Sequence, residues 1–176
     1  MVIPLREVAS NGANSFIEDA ISKFTCQDKD VETFLKEKAF DFERRDKSRT
    51  YLVMDDSSGI LLGYFTLSLN ALPFRDSVSK NTIKRIDGFS KDVNAVGIVL
   101  IGQLGKDSEK AKGLSGIQLL NMCIEAVCKV QEIIGGRFVM LECQDITKVV
   151  EFYKKNGFQF LQFDEKDKYL QMVRRL

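Results

Sequence analysis

The chain has 176 residues, 44% of them apolar and 29% charged, with a formal net charge of +1. That length allows one domain burying roughly 70% of its unfolded surface, and the near-neutral balance means any contact with nucleic acid would rest on a local patch. With no histidine, and with its four cysteines (Cys26, Cys123, Cys128, Cys143) forming no C-x-x-C pair, the chain offers no imidazole base and argues against a structural zinc site. The thiols read as buried groups in a reducing compartment. No leader or apolar run of about 18 residues appears, so a soluble cytoplasmic protein without membrane association is expected.

Residues 1 to 8 read as a short edge strand. Phe16, Ile17, Ala20 and Ile21 mark one face of a helix. Asp28 or Asp30 caps a second, with Val31, Phe34, Leu35, Ala39 and Phe42 on its buried face. The charged run 43–49 reads as its solvated end. Residues 50–55 and 60–69 read as a hairpin joined by Asp56-Ser-Ser-Gly59. Gly63, inside the second strand, marks a bulge or a close backbone approach. Residues 74–93 form an insertion rich in Arg75, Lys80, Lys84, Arg85 and Lys91. Val78, Ile83, Ile86 and Phe89 give it a weak apolar stripe suited to a short helix. Its position suits acceptor binding or the contacts of a homodimer.

An apolar run, residues 95–101, then reads as a buried strand. A polar loop with Gly105, Gly113 and Gly116 follows. Ile117, Leu119, Leu120, Cys123, Ile124, Val127, Val130 and Ile134 then recur at helical spacing. Strand, glycine-containing turn and helix N-terminus together present backbone N–H groups to an anion. The spacing fits neither the Walker pattern nor G-x-G-x-x-G. Gly135-Gly136 ends the helix, residues 137–142 read as a strand ending at Glu142, and Asp145 is the expected N-cap of a helix over 146–156. Gly157 stops that helix. Residues 158–164 and 168–174 close the chain as a hairpin.

Lys110-Ala-Lys-Gly113-Leu-Ser115 resembles the Arg/Gln-x-x-Gly-x-Gly/Ala loop of the Gcn5-related N-acetyltransferases. Glu151-Phe-Tyr-Lys-Lys-Asn-Gly-Phe158 resembles that family's F-Y-x-x-x-G-F, about forty residues downstream. Phe24-Thr-Cys26, Phe34-Leu35, Gly63-Tyr-Phe-Thr-Leu67 and Leu100-Ile-Gly-Gln-Leu104 are similar to segments of its toxin-like branch. The chain departs from that branch in having Gln27 after Cys26, Gln103 for an arginine and little net charge. The resemblance implies an α/β (α+β) fold: a single domain over 1–176, a mixed sheet of about six to seven strands and about four flanking helices.

The same resemblance implies acetyl-CoA as co-substrate, no metal, and direct attack by an amine without an acyl-enzyme. Leu104, Gly105 and Lys106 would lie along the pantetheine arm. The amides of Lys110, Ala111, Lys112, Gly113, Leu114, Ser115 and Gly116 would bind the pyrophosphate. Tyr153 would assist the departing thiolate as general acid, with Tyr64 the next candidate. Glu142, at a strand end, is the first candidate base. The acceptor placed first is a primary amine on a small molecule, peptide or protein. The alternative is the amino group of an aminoacyl-tRNA, which would bring tRNA and an antitoxin as partners. An α-amino group, titrating near 8, is already partly uncharged at neutral pH and suits a histidine-free site.

Overall fold

A computed structural model describes residues 1–10, 15–164, 166 and 168–176. In chain order it contains β1 (Val2–Pro4), α1 (Leu5–Ser10), α2 (Ser15–Ser22), α3 (Lys29–Thr33), a π-helical turn (Phe34–Lys38), α4 (Ala39–Arg44), β2 (Arg49–Met54), β3 (Leu61–Pro73) and α5 (Lys80–Asp87). Then follow β4 (Ala95–Lys106), α6 (Gly116–Ile134), β5 (Phe138–Cys143), α7 (Thr147–Lys155), β6 (Gln159–Phe163) and β7 (Leu170–Arg175). The seven strands form one mixed sheet of order β1-β2-β3-β4-β5-β7-β6. β4 and β5 pair in parallel, Val99↔Val139 to Ile101↔Leu141. The expected strand count and fold class hold. The helices, seven α-helices and one π turn among the described residues, outnumber the four expected. The amino-terminal segment folds as several short pieces, and the insertion contributes one of its own.

The chain divides into two compact units, residues 1–68 with 102–125 and residues 69–101 with 126–176. In the first unit β1 pairs antiparallel with β2, and β2 with β3. The expected edge strand is only three residues long, because after Pro4 the chain turns into α1, which buries Leu5. The core of this unit gathers Leu5, Ile17, Ile21, Phe24, Leu35, Ala39, Leu52, Met54, Leu61 and Tyr64. Asp28 caps α3 by accepting from the Asp30 and Val31 amides. The expected continuous helix over 28–42 is interrupted at residues 34–38, where the Ala39 N–H reaches back to the Phe34 carbonyl, the wider i→i+5 bond of a π turn. Gly63 satisfies both readings made of it. The β2–β3 register slips between Val53 and Met54, and a Cβ on Gly63 would stand 2.9 Å from the Gly105 carbonyl oxygen.

In the second unit the insertion is not a loose excursion. Ser79 caps α5 by accepting from the Thr82 amide, Val78, Ile83 and Ile86 are buried, and Gly88 ends the helix at φ 93°. A Cβ on Gly88 would collide with the Arg137 side chain. Phe89, expected on the apolar stripe, is instead 91% exposed, since it lies beyond the helix end. Ile86 joins Leu72, Ile98, Phe138, Met140 and Val173 in this unit's core. Ahead of α7 the cap is Ile146, without a side-chain bond, and not the expected Asp145. The helix starts one residue later than the sequence suggests, so the carboxylate misses the position from which it would reach the first free amides. β7 pairs with both β5 and β6, and the β6 register slips between Phe160 and Gln162.

Candidate active site

The glycine loop hangs between the end of β4 and the start of α6, and one buried carboxylate organises its base. Asp107 is 1% exposed. Its Oδ1 accepts from the Glu109 and Lys110 amides at 2.9 and 2.7 Å, and its Oδ2 from the Thr25 amide at 3.0 Å and Lys110 Nζ at 3.2 Å. The Ser108 amide answers by donating to the Thr25 carbonyl at 2.9 Å. The segment around Thr25-Cys26 is thereby stitched to the loop, some eighty residues further along the chain. Burial opposes the Asp107 charge, but the Lys110, Thr25 and Glu109 amides and the Lys110 ammonium hold the carboxyl below its ordinary range.

A folded pKa below the unfolded value of about 3.9 gives stability that is present above about pH 4 and is lost as pH falls through the folded pKa. Asp107→Asn replaces acceptors with an amide that faces donors. It should cost about 1–3 kcal/mol at neutral pH, read by urea unfolding, and the deficit relative to wild type should narrow below about pH 4. An unchanged midpoint at pH 7 would mean that Thr25 and the loop are held by other contacts.

The far end of the loop is closed by a reciprocal cap. Ser115 Oγ accepts from the Gln118 amide at 3.2 Å, while Gln118 Oε1 accepts from the Ser115 amide at 2.8 Å. This is the S-x-x-Q form of the capping box, written in the sequence as Ser115-Gly-Ile-Gln118. Lys106 Nζ donates to the Leu114 carbonyl at 3.2 Å and Leu114 donates to the Ala111 carbonyl at 3.1 Å. With these bonds made, the amides of Ala111, Lys112, Gly113, Gly116 and Ile117 have no acceptor among the described residues. A Cβ on Gly113 would meet nothing within 4 Å, so no neighbour in the protein requires glycine there. Orphan amides at a helix N-terminus and an uncrowded backbone fit a pyrophosphate.

The two lysine side chains of the loop divide their work. Lys110 Nζ is spent on Asp107 and on the Lys23 carbonyl, whereas exposed Lys112 carries no ion pair among the described residues. On β4, Leu104 is half-buried and Lys106 exposed. Gly105 is a packing glycine: a Cβ there would stand 2.5 Å from Val31 Cγ1 and 3.4 Å from Cys26 Sγ. Tyr64, the second candidate acid, is fully buried and its hydroxyl donates to the Val31 carbonyl. Burial also pushes its phenol far above the ordinary range. It is a core residue and not a proton donor to substrate. The cysteines are free, with Cys123 and Cys143 buried. Burial raises the thiols of Cys123, Cys143 and Cys26, the reverse of what a nucleophile needs.

The expected acid and base both belong to the second unit. Tyr153 lies on α7, half-buried, with its ring 5.7 Å from that of buried Phe158 and 5.2 Å from that of Phe152, both edge-to-face. Glu142 is exposed on β5, and its Oε1 accepts from Gln171 Nε2 at 2.8 Å. Among the described residues no three potential metal ligands converge, and no helix is long and apolar enough to cross a membrane.

Comparison with known proteins bears on this arrangement. No family model matches the chain. It is 23% identical over 142 residues to the probable toxin TacT of Sinorhizobium fredii (strain NBRC 101917 / NGR234), covering 77% of this chain and 76% of the relative. Among solved structures it is similar to the toxin AtaT complexed with acetyl-methionyl-tRNAfMet, with a TM-score of 0.67 and 22% identity over 86% of this chain and 85% of that one. It is similar to a tyrosine-to-phenylalanine mutant of KacT, with a TM-score of 0.66 and 24% identity over 86% and 85% of the two chains. The fold is that of the Gcn5-related N-acetyltransferase toxins. Within the acetyltransferase fold, the AtaT–AtaR complex bound to DNA is also similar, with a TM-score of 0.66 and 20% identity over 99% of this chain and 93% of that one. The likeness therefore extends through β1 and the closing hairpin as well as the loop that joins β4 to α6.

Proposed function

We propose that this chain is an acetyl-CoA-dependent N-acetyltransferase whose acceptor is the α-amino group of an aminoacyl-tRNA. The observation that carries the choice of acceptor is the likeness, over 86% of the chain, to AtaT complexed with acetyl-methionyl-tRNAfMet. The curated relative, a probable toxin, points the same way. Together they favour the aminoacyl-tRNA alternative over the small-molecule, peptide or protein amine placed first, a reading with which they remain compatible. The reaction takes place in the cytoplasm, on a single acetyltransferase domain. An antitoxin is the implied protein partner, as AtaR is for AtaT.

In this reading the pantetheine arm runs along Leu104, Gly105 and Lys106 as an added strand would. The pyrophosphate meets the loop amides, with Lys112 supplying charge. The acceptor nitrogen attacks the thioester carbonyl, its proton passes to Glu142 through water, and the intermediate collapses by expelling the CoA thiolate. Tyr153 donates a hydrogen bond, and then a proton, to that sulfur. Exposed Lys80, Lys84 and Arg85 on α5, with Arg75 beside it, would face the tRNA backbone. The Lys80–Asp92 pair, 3.3 Å apart with both side chains more than 60% exposed, is too well solvated to hold Lys80 from a phosphate.

The test offers acetyl-CoA with charged tRNA, free amines and peptides in parallel, with products read by mass spectrometry. Acetylated aminoacyl-tRNA is the expected product. Turnover on amines or peptides with none on charged tRNA would overturn the choice of acceptor. With tRNA as substrate, kcat/KM should fall steeply with salt through counterion release. Replacing Arg75, Lys80, Lys84 and Arg85 by Ser should reduce the log–log slope by about 0.7–0.9 per phosphate contact removed. A slope equal to wild type would detach the insertion from tRNA.

A further inference from the structure

Three polar side chains lie in one row across the sheet of the second unit. The register sets Glu142 of β5 opposite Gln171 of β7, and Gln171 opposite Gln162 of β6. Gln162 reaches this row because β6 carries an extra residue, Leu161, where its register slips between Phe160 and Gln162. Without that bulge Leu161 would oppose Gln171. Bulges that re-aim a side chain are frequent beside functional sites.

Gln162 and Gln171 are 4% and 8% exposed, and buried amides are costly unless every polar atom is engaged. Here they are engaged in one direction only. Gln162 Nε2 donates to the Pro73 carbonyl at 2.8 Å and to Gln171 Oε1 at 2.7 Å, while its Oε1 accepts from the Arg75 amide at 3.0 Å. A backbone carbonyl can only accept and a backbone N–H can only donate, so the orientation of the Gln162 amide is forced. The constraint passes on. Gln171 accepts from Gln162, and so presents its own N–H to Glu142 Oε1 at 2.8 Å. Glu142 as a residue is exposed, and its Oε2 has no partner among the described residues.

We infer that Gln171 and Gln162 are positioning residues for acetyl transfer. They clamp one oxygen of Glu142 and tie it to Pro73 and Arg75, where the insertion leaves the sheet. The carboxylate that receives the acceptor's proton and the segment that meets the acceptor are thereby held as one piece. This rests on the acetyltransferase reading and on Glu142 as the base. Two amides serving only the core would have no need to end on an exposed carboxylate whose second oxygen no described residue engages.

The test is a double-mutant cycle on kcat. Gln171→Met keeps the side chain's length and removes the clamp. It should lower kcat about tenfold to hundredfold, the loss expected for a hydrogen bond to a charged group, with KM for acetyl-CoA unchanged. Glu142→Gln should lower kcat at least as far. In the Glu142→Gln background, Gln171→Met should cost less than about twofold further, because it acts through Glu142. A kcat for Gln171→Met within about twofold of wild type, or a loss that adds in full to that of Glu142→Gln, would overturn the inference, since a purely structural role predicts additivity.

Should Gln171→Met fail to fold, the side-chain amide resonances decide. Glu142→Gln is a surface change, and it should shift the Gln171 Nε2 signal while moving that of Gln162 less. A Gln171 signal identical to wild type would overturn the clamp. A wild-type protein silent on every acceptor would overturn the underlying acetyltransferase reading instead, and the resonance experiment tells these two failures apart.

Discussion

Gly113→Asp should weaken acetyl-CoA binding about a hundredfold in a protein that melts where wild type does. The Cβ has open space around it, with nothing within 4 Å, and Gly113 is not among the glycines with positive φ. An aspartate is therefore accommodated without strain in the free protein. The bound state is different. The added carboxylate stands among the orphan amides of 111–117 and can occupy them as an N-cap does. In the proposed complex it would also repel the pyrophosphate: two unit charges about 5 Å apart interact by about 3 kcal/mol at an effective dielectric constant of 20. That corresponds to about two orders of magnitude in affinity. Titration calorimetry with acetyl-CoA reads the effect, and Gly113→Ala, which adds bulk without charge, should fall between the two. Lys110→Ala should weaken binding far less, because that ammonium is spent on Asp107 and Lys23. Unchanged affinity in folded Gly113→Asp would remove the loop from the cofactor site.

Much of this arrangement is legible in the sequence because its signals are local. An apolar run and a 3.6-residue period place the start of β4 and the whole of α6 within a residue of where they lie, although β4 runs on to Lys106, five residues past the apolar run. Five of the eight apolar positions named in that helix, Leu119, Leu120, Cys123, Ile124 and Val127, are buried. Ile117 and Ile134 are about half exposed, as expected of residues at helix ends. What the sequence hides is non-local. Nothing in the sequence singles out Asp107 until Thr25, far back in the chain, is brought to it. The row Glu142–Gln171–Gln162 depends on the pairing of three strands and on a one-residue bulge, and periodicity carries neither. The π turn at 34–38 is equally silent, since Leu35 and Ala39 keep a four-residue helical spacing through it. Tyr64 misleads for the opposite reason. A tyrosine in a motif-bearing strand suggests chemistry, but its alternation along β3 points the ring into the core, where the hydroxyl finds Val31.

Tyr153→Phe separates chemistry from packing at the residue on which the proposed mechanism leans most. Phenylalanine keeps the edge-to-face contacts with Phe152 and Phe158, and α7 keeps its backbone bonds from Asn156 and Phe158 to the Tyr153 carbonyl. The melting temperature and the acetyl-CoA affinity should therefore stay close to wild type. The rate should not. Loss of a positioned acid typically costs about 10²–10⁴-fold, and a fall of that size in kcat is expected on charged tRNA. The phenol's role is bounded by its reference acidity. A tyrosine near pKa 10 gives its proton to a thiolate near 8.5 only against a gradient of about 2 kcal/mol. In the proposed mechanism Tyr153 would thus work chiefly as a hydrogen-bond donor to the sulfur as charge develops there, with transfer completed when the intermediate collapses. The defect of the phenylalanine variant should then shrink as pH is lowered and hydronium supplies the missing proton. A near-normal kcat across the pH range would show that the thiolate departs unaided. Tyr64 could not be invoked in its place, because its hydroxyl is already committed within the core of the first unit.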